Sequence, residues 1–240
     1  MGSVAVAIVC KIPMAGQSKT RLSPPLRPKE CAALSACFIQ DLAGTIATLT
    51  AEGDVVGYAL YTPTGSEPDL RCLLPGDFRL IAQSEGDLST RLIKGTADLF
   101  EAGHDGAILI NADSPTLPRT ILRAAVEATR GADNVVLSPA IDGGYTLIGV
   151  SQPHPHLYED MPWSTDVVYA RTLDRAREIG LPVVSLPAWY DIDDAASLRL
   201  LEAELRGAPP PCAAPGVVGA DAPATRRFLG SRQAVLQSNQ

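Results

Sequence analysis

Five short stretches of this 240-residue chain carry side chains whose types and spacing could do chemistry. The first is Pro13-Met14-Ala15-Gly16-Gln17-Ser18-Lys19-Thr20-Arg21-Leu22. Gly16 permits close backbone approach to a ligand, and Lys19 and Arg21 offer phosphate oxygens a point charge and a planar fork. A solvated basic loop is the plainer reading. The G-x-x-x-x-G-K-[ST] and G-x-G-x-x-G spacings are absent, so this is neither a Walker loop nor a dinucleotide fingerprint. The second stretch is Asp113-Ser114-Pro115, whose carboxylate suits a hard oxygen ligand for Mg²⁺ or, more plainly, a turn or helix cap. The third, Asp142-Gly143-Gly144-Tyr145, is a turn where a ligand can meet backbone N–H groups, or an ordinary hairpin. Trp163-Ser164-Thr165 precedes an expected helix N-terminus, which is an anion site or simply a cap. The last is Asp191-Ile192-Asp193-Asp194. If 191–193 is extended, Asp191 and Asp193 share a face, and Asp193 can join Asp113 in a two-carboxylate metal site while Asp194 caps a helix. Plain capping is the alternative. His154 and His156 flank Pro155 with no metal-binding or nucleophile-elbow spacing around them.

The elements that must position these residues alternate between strand and helix. Residues 4–10 (VAVAIVC) read as a strand buried on both faces. Pro28 and the stripe Leu34, Phe38, Leu42, Ile46 and Leu49 predict a long helix over 29–50. Strands are expected at 55–61, 78–82, 106–112, 134–139, 144–150 and 182–186. Helices are expected after Asp87, after Thr116 and Pro118, from a Thr165 cap to about 179, and after Asp193 or Asp194. The first loop leaves the first strand, and Asp113 ends a central one. In open α/β sheets, ligands collect at those carboxyl ends. The pattern implies one domain over 1–207 with a mostly parallel sheet. Beyond Gly207 the Pro-, Ala- and Gly-rich segment has no sustained periodicity, so 208–240 reads as a mostly disordered tail, with a short helix around 226–236 as the exception.

Composition narrows the partners. A net charge of −7 argues against nucleic-acid binding. Its distribution is uneven. The first 29 residues hold no Asp or Glu but carry Lys11, Lys19, Arg21, Arg27 and Lys29, a zone suited to a small polyanion. No apolar run approaches bilayer length, and the N-terminus lacks signal-peptide and myristoylation features. Five cysteines without a C-x-x-C pair suggest free thiols in a reducing cytoplasm, with no disulfide framework and no zinc ribbon.

Taken in order, P-x-x-G-x-x-K-T-R-L at 13–22, D-S-P-T-L-P at 113–118, D-G-G-Y-x-L-I-G at 142–149, W-S-T at 163–165 and D-I-D at 191–193 resemble a family of small GT-A-fold transferases of largely unassigned function, commonly described as glycosyltransferases. The resemblance covers about 4–206. S-K-T-R-L-S-P-P-L at 18–26 also looks like the 2-phospholactate guanylyltransferases. Ala15 stands where the family often has a second Pro, and Ser89 where D-L-G is usual. Neither touches the charged positions.

The resemblance implies a three-layer α/β/α, Rossmann-like GT-A fold. It implies Lys19, Arg21 and Asp113 as catalytic groups, and Asp113 and Asp193, with Asp191 nearby, as ligands of Mg²⁺ or Mn²⁺. Pro13, Gly16, Thr20, Asp142, Gly143, Gly144, Tyr145, Trp163, Ser164 and Thr165 are then the substrate contacts. Two reactions suit such a set. One is nucleotidyl transfer from a nucleoside triphosphate to a small phosphorylated acceptor, which requires positioning and charge neutralisation but no general base. The other is glycosyl transfer from a nucleotide sugar, where Asp142 is the candidate base. A non-catalytic nucleotide-binding module is the third possibility. The cationic first loop favours nucleotidyl transfer, since a departing triphosphate tail places more charge there than a diphosphate.

Overall fold

The computed structural model describes residues 2–238. Seven strands, β1 (Val4–Lys11), β2 (Val55–Thr62), β3 (Arg79–Ala82), β4 (Gly106–Asn111), β5 (Val135–Pro139), β6 (Tyr145–Val150) and β7 (Val183–Ser185), form one sheet. Its order is β3-β2-β1-β4-β6-β5-β7. All neighbouring pairs are parallel except those of β6, which runs against β4 and β5. The described residues form seven α-helices: α1 (Pro28–Thr50), α2 (Glu67–Arg71), α3 (Leu88–Glu101), α4 (Arg119–Thr129), α5 (Val168–Glu178), α6 (Ala195–Leu205) and α7 (Pro223–Ser238).

The strands are apolar on both sides because both faces are covered. Along β1, Val4, Val6, Ile8 and Cys10 belong to a core shared with Leu34 and Phe38 of α1, Leu122 of α4 and Leu201 of α6. Ala5 and Ala7 face the other core, with Leu92 and Leu99 of α3 and Ala176 of α5. This is the expected three-layer α/β/α arrangement. Burial on both faces at β1 and β4 fixes their register and places their carboxyl ends side by side, with Val9 opposite Asn111.

Several expectations need correction. α1 is long and apolar enough on average to cross a membrane, although Gln40 and Asp41 interrupt its apolar run, and it packs against the sheet, α4 and α7. Thr165 does not cap α5. Its hydroxyl bonds the Pro162 carbonyl, Ser164 takes a positive φ of 64°, and the helix starts only at Val168. The short helix α2 has too few residues for a periodic pattern to reveal it. The segment after Gly207 differs most from the disordered tail expected of it. α7 packs along α1, with Leu229 and Ala222 buried, and both oxygens of the buried Asp41 accept its first N–H groups, from Ala224 and Thr225, at 2.8 Å each. Asp41 lies inside α1, so composition around 208–222 could not reveal this cap.

Candidate active site

The site forms where the carboxyl ends of β1, β4 and β5 meet the chain leaving β7. Beyond β1 the chain turns tightly: the Met14 carbonyl accepts the N–H groups of Gln17 and Ser18, and the Ser18 hydroxyl accepts the Met14 N–H. Gly16 takes a φ of +77°, which a glycine adopts freely. Lys19 also lies in the left-handed region, at φ 49°, ahead of a 3₁₀ turn over Thr20–Leu22. Leu22 and Leu26 are buried beneath this turn and anchor it. A lysine in that backbone region is held there by its surroundings, a form of strain that clusters at functional sites.

Its side chain shows what holds it. The Lys19 ammonium donates to Asp113 Oδ1 and Asp193 Oδ1, both at 2.8 Å, and the side chain is only 7% exposed. Burial works against the charge, but Asp113 and Asp193 together outweigh it and raise the Lys19 pKa. Asp113 is positioned by the Asn111 amide oxygen, which accepts its N–H, and by the Ile192 N–H, which donates to its carbonyl at 2.9 Å. The same strap is pinned on the other side, where Trp189 bridges Ala140 and donates its N–H to the Pro139 carbonyl. Ile192 is fully buried between these pins, so Asp191 and Asp193 emerge on the opposite side as expected. Asp194 caps α6 through the N–H groups of Ala196 and Ser197.

Asp142, Asp191 and Asp193 each bring one carboxylate oxygen within 4.8 Å of the others. Asp142 joins the pair that sequence spacing brought together, and Asp113 adjoins the group through the Lys19 ammonium that it shares with Asp193. The Asp191 carboxyl is pushed up to about 7, first by burial and then by the neighbouring Asp142, Asp193 and Asp113 carboxylates. Three carboxylates offering oxygens this close together fit a hard divalent cation such as Mg²⁺ or Mn²⁺.

Gly143 has a φ of +93°, and a Cβ there would fall 2.0 Å from the Asp166 carbonyl oxygen. Its own carbonyl accepts the Tyr169 N–H. Only glycine lets the Asp142 turn dock on the 164–169 loop. Behind this contact Tyr145 and Trp163 pack edge to face, 6.4 Å between ring centres. The Trp163 indole donates to Ser89 Oγ, and Ser89 donates to the Tyr158 carbonyl. Ser89, a departure from the family pattern, therefore links these two segments.

One cavity of about 450 Å³ joins Lys19, Thr20, Arg21, Asp113, Asp142, Ser164, Thr165 and Asp193. Pro13 instead lines a neighbouring groove, Gly16 shapes the loop, and Tyr145 and Trp163 support the wall. Lys11, which the sequence placed only in the basic N-terminal zone, also lines the cavity, as do Gln17, Ser18 and Asp166, which had no assigned role. The position of Lys11 at the end of β1 was the available signal. Cys10 lies on the floor, where burial and then Asp113 push its thiol up to about 12, so it stays protonated and is no nucleophile. Arg21 has no carboxylate partner among the described residues, and the N–H groups of Lys19, Thr20 and Arg21 make no hydrogen bond among them.

The sequence profile of a family described as uncharacterized protein conserved in bacteria (DUF2064) matches residues 45–165. The chain belongs to this family. The match takes in Asp113, Asp142 and Trp163-Ser164-Thr165, while the cation loop and Asp191–Asp193 lie outside it. No curated protein matches the chain. Among solved structures, a provisionally named nucleotide-diphospho-sugar transferase from Desulfovibrio desulfuricans G20 is 24% identical, with a TM-score of 0.82 over 99% of this chain and 98% of that one. A cytidylyltransferase from Leptospira borgpetersenii serovar Hardjo-bovis is 11% identical, with a TM-score of 0.54 over 99% of this chain and 96% of that one. A CMP:2-keto-3-deoxy-manno-octonic acid synthetase, complexed with CTP, is 12% identical, with a TM-score of 0.53 over 84% of this chain and 97% of that one. At these identities the likeness establishes the shared fold.

Proposed function

We propose that this chain is a Mg²⁺-dependent nucleotidyltransferase that moves a nucleoside monophosphate from a triphosphate to a small phosphorylated acceptor. The observation that carries the reading is the juxtaposition in one cavity of Asp142 and Asp193, two members of the acidic cluster that Asp191 completes, with the loop that bears Lys19 and Arg21. Two fold relatives, the cytidylyltransferase and the synthetase complexed with CTP, handle cytidine nucleotides by name and are in keeping with it. In the reaction, an ionised acceptor oxygen attacks the α-phosphorus, the bond to the bridging α–β oxygen breaks, and pyrophosphate leaves with that electron pair. A bound Mg²⁺ on the Asp cluster would neutralise phosphate charge.

The protein's own groups hold the rest. Arg21, Lys11 and the N–H groups of Lys19–Arg21 are available to the leaving pyrophosphate. Lys19, fixed between Asp113 and Asp193, keeps the carboxylates apart and presents its charge at the cavity. No general base is needed, in keeping with the absence of a histidine from the cavity lining. The free cysteines suit a reducing cytoplasm, where we place the reaction.

One observation favours glycosyl transfer instead. The wall formed by Asp142, Ser164, Thr165 and Asp166 carries no Lys or Arg, which suits a hydroxyl acceptor better than a phosphate. Pyrophosphate release, measured with each of the four triphosphates, Mg²⁺ and a panel of phosphorylated acceptors, decides between them. Acceptor-dependent release with one triphosphate supports the proposal. Turnover of a nucleotide sugar without pyrophosphate would replace it, and nucleotide binding without any turnover would make the chain a binding module.

A further inference from the structure

The C-terminal segment touches the site's supporting loops at two separate places. Ala220 donates its N–H to the carbonyl of Thr116 at 2.9 Å, three residues beyond Asp113. Further on, Arg232 of α7 donates from Nη2 to the Pro25 carbonyl at 2.8 Å, and its Nε lies 3.5 Å from Glu30 Oε1. Pro25 sits in the short connection between the Thr20–Leu22 turn and α1. Glu30 fixes the far side of that connection, because its other oxygen accepts the Arg27 N–H at 2.7 Å. The Arg232 side chain is 17% exposed, so solvent screens these contacts only in part. α7 is itself held by Asp41 at its first turn and by Leu229 in the core.

We propose that Arg232 is a positioning residue: it braces the 23–27 connection from α7 and so holds the loop that carries Lys19 and Arg21 in the geometry that receives a polyphosphate. The polyphosphate ligand rests on the function proposed above; the brace rests on the contacts alone. A helix that merely completed the core would need Leu229 and its neighbours, but no guanidinium aimed at a loop carbonyl. Arg232 touches no substrate-facing atom, so its effect passes through the backbone of 19–27. Losing one charge-assisted hydrogen bond of this kind changes a local opening equilibrium by about tenfold.

The test compares full-length wild type, Arg232→Ala, Arg232→Lys and Leu229→Ala. Two readouts are taken: amide hydrogen exchange of 19–27, and the KM values for the triphosphate and the acceptor. The expected result for Arg232→Ala is exchange about tenfold faster at the bonded amides of 19–27, those of Leu22, Ser23, Leu26 and Arg27, and a triphosphate KM about tenfold higher, with the acceptor KM and the β4 amides unchanged. Arg232→Lys recovers part of both. Leu229→Ala lowers the melting temperature and disturbs 19–27 less than Arg232→Ala does, because the guanidinium is still present. Unchanged exchange in Arg232→Ala overturns the brace. If wild type releases no pyrophosphate, the proposed function fails while the exchange comparison still decides the brace.

Discussion

Replacing Lys19 with Met removes the one ammonium that Asp113 and Asp193 share, and the structure gives its consequence a sign. Lys19 touches Asp193, and Asp193 belongs to the Asp142–Asp191–Asp193 cluster, so a divalent cation held there would sit close to the ammonium. With a separation of roughly 6 Å and an effective dielectric of about 40–80 for this half-open site, the repulsion between +1 and +2 charges is about 1.4–2.8 kcal/mol. Lys19→Met should therefore bind Mn²⁺ about 10- to 100-fold more tightly than wild type. Without metal, the same change leaves Asp113, Asp142, Asp191 and Asp193 facing one another uncompensated. Since Asp113 and Asp193 are 34% and 45% exposed, the loss of stability should be about 1–3 kcal/mol, less than for a fully buried pair. Isothermal titration with Mn²⁺ at pH 8, together with urea unfolding in chelator, measures both. A folded Lys19→Met protein that binds Mn²⁺ no better than wild type would refute the placement of the cation site beside the ammonium. Turnover should fall in this variant even as the metal binds more tightly, because the phosphate loses a cationic neighbour.

Three further outcomes are expected. Asp191, with its carboxyl raised to about 7, must release a proton to take a cation. Mn²⁺ affinity should thus fall roughly tenfold per pH unit below 7 and level off above it, and Asp191→Asn should bind weakly with no such slope, checked by titration from pH 5.5 to 8.5. Without metal the sign is that of a raised pKa: the contribution to stability is fully present below the carboxyl's unfolded pKa of about 4 and is lost as pH rises through 7, on the order of 2–4 kcal/mol by chemical unfolding. Gly143→Ala forces a Cβ into the Asp166 carbonyl at positive φ and should cost about 2 kcal/mol or more while displacing Asp142, seen as weaker Mn²⁺ binding; wild-type affinity in this variant would argue against the docking role. Asp41→Ala removes the double cap of α7 and should cost about 1–2 kcal/mol in urea unfolding, with faster exchange at Ala224 and Thr225.

Much of the fold could be read from the sequence because its signals are local. The apolar run of β1, the α1 stripe and the Asp87 and Asp194 caps each rest on residues within a few turns of one another. The candidate site was legible as a set of stretches, since strand ends in an α/β sheet gather by topology. Who pairs with whom was not. Lys19 and Asp193 are 174 positions apart, and only the folded strap from Trp189 to Ile192 brings them together. Asp142 enters the acidic cluster because Gly143 docks on Asp166, a contact that no spacing rule contains. The C-terminal segment misled for a related reason: its Pro, Ala and Gly content describes 208–222, while the partners that order it, Asp41, Glu204 and Thr116, lie elsewhere in the chain. Glu204 accepts the Tyr190 hydroxyl, and Gly219 packs against it.

Under the proposed function, this cavity breaks the bond between the α-phosphorus and the bridging oxygen of a nucleoside triphosphate. Phosphorus-31 NMR of wild type and Asp193→Asn, each incubated with Mg²⁺, a triphosphate and the acceptors, follows that bond. Wild type should give a pyrophosphate resonance and a new nucleotide–acceptor diphosphate, both lost in Asp193→Asn. A nucleoside diphosphate released from a nucleotide sugar, with no pyrophosphate from any triphosphate, would contradict the proposed function.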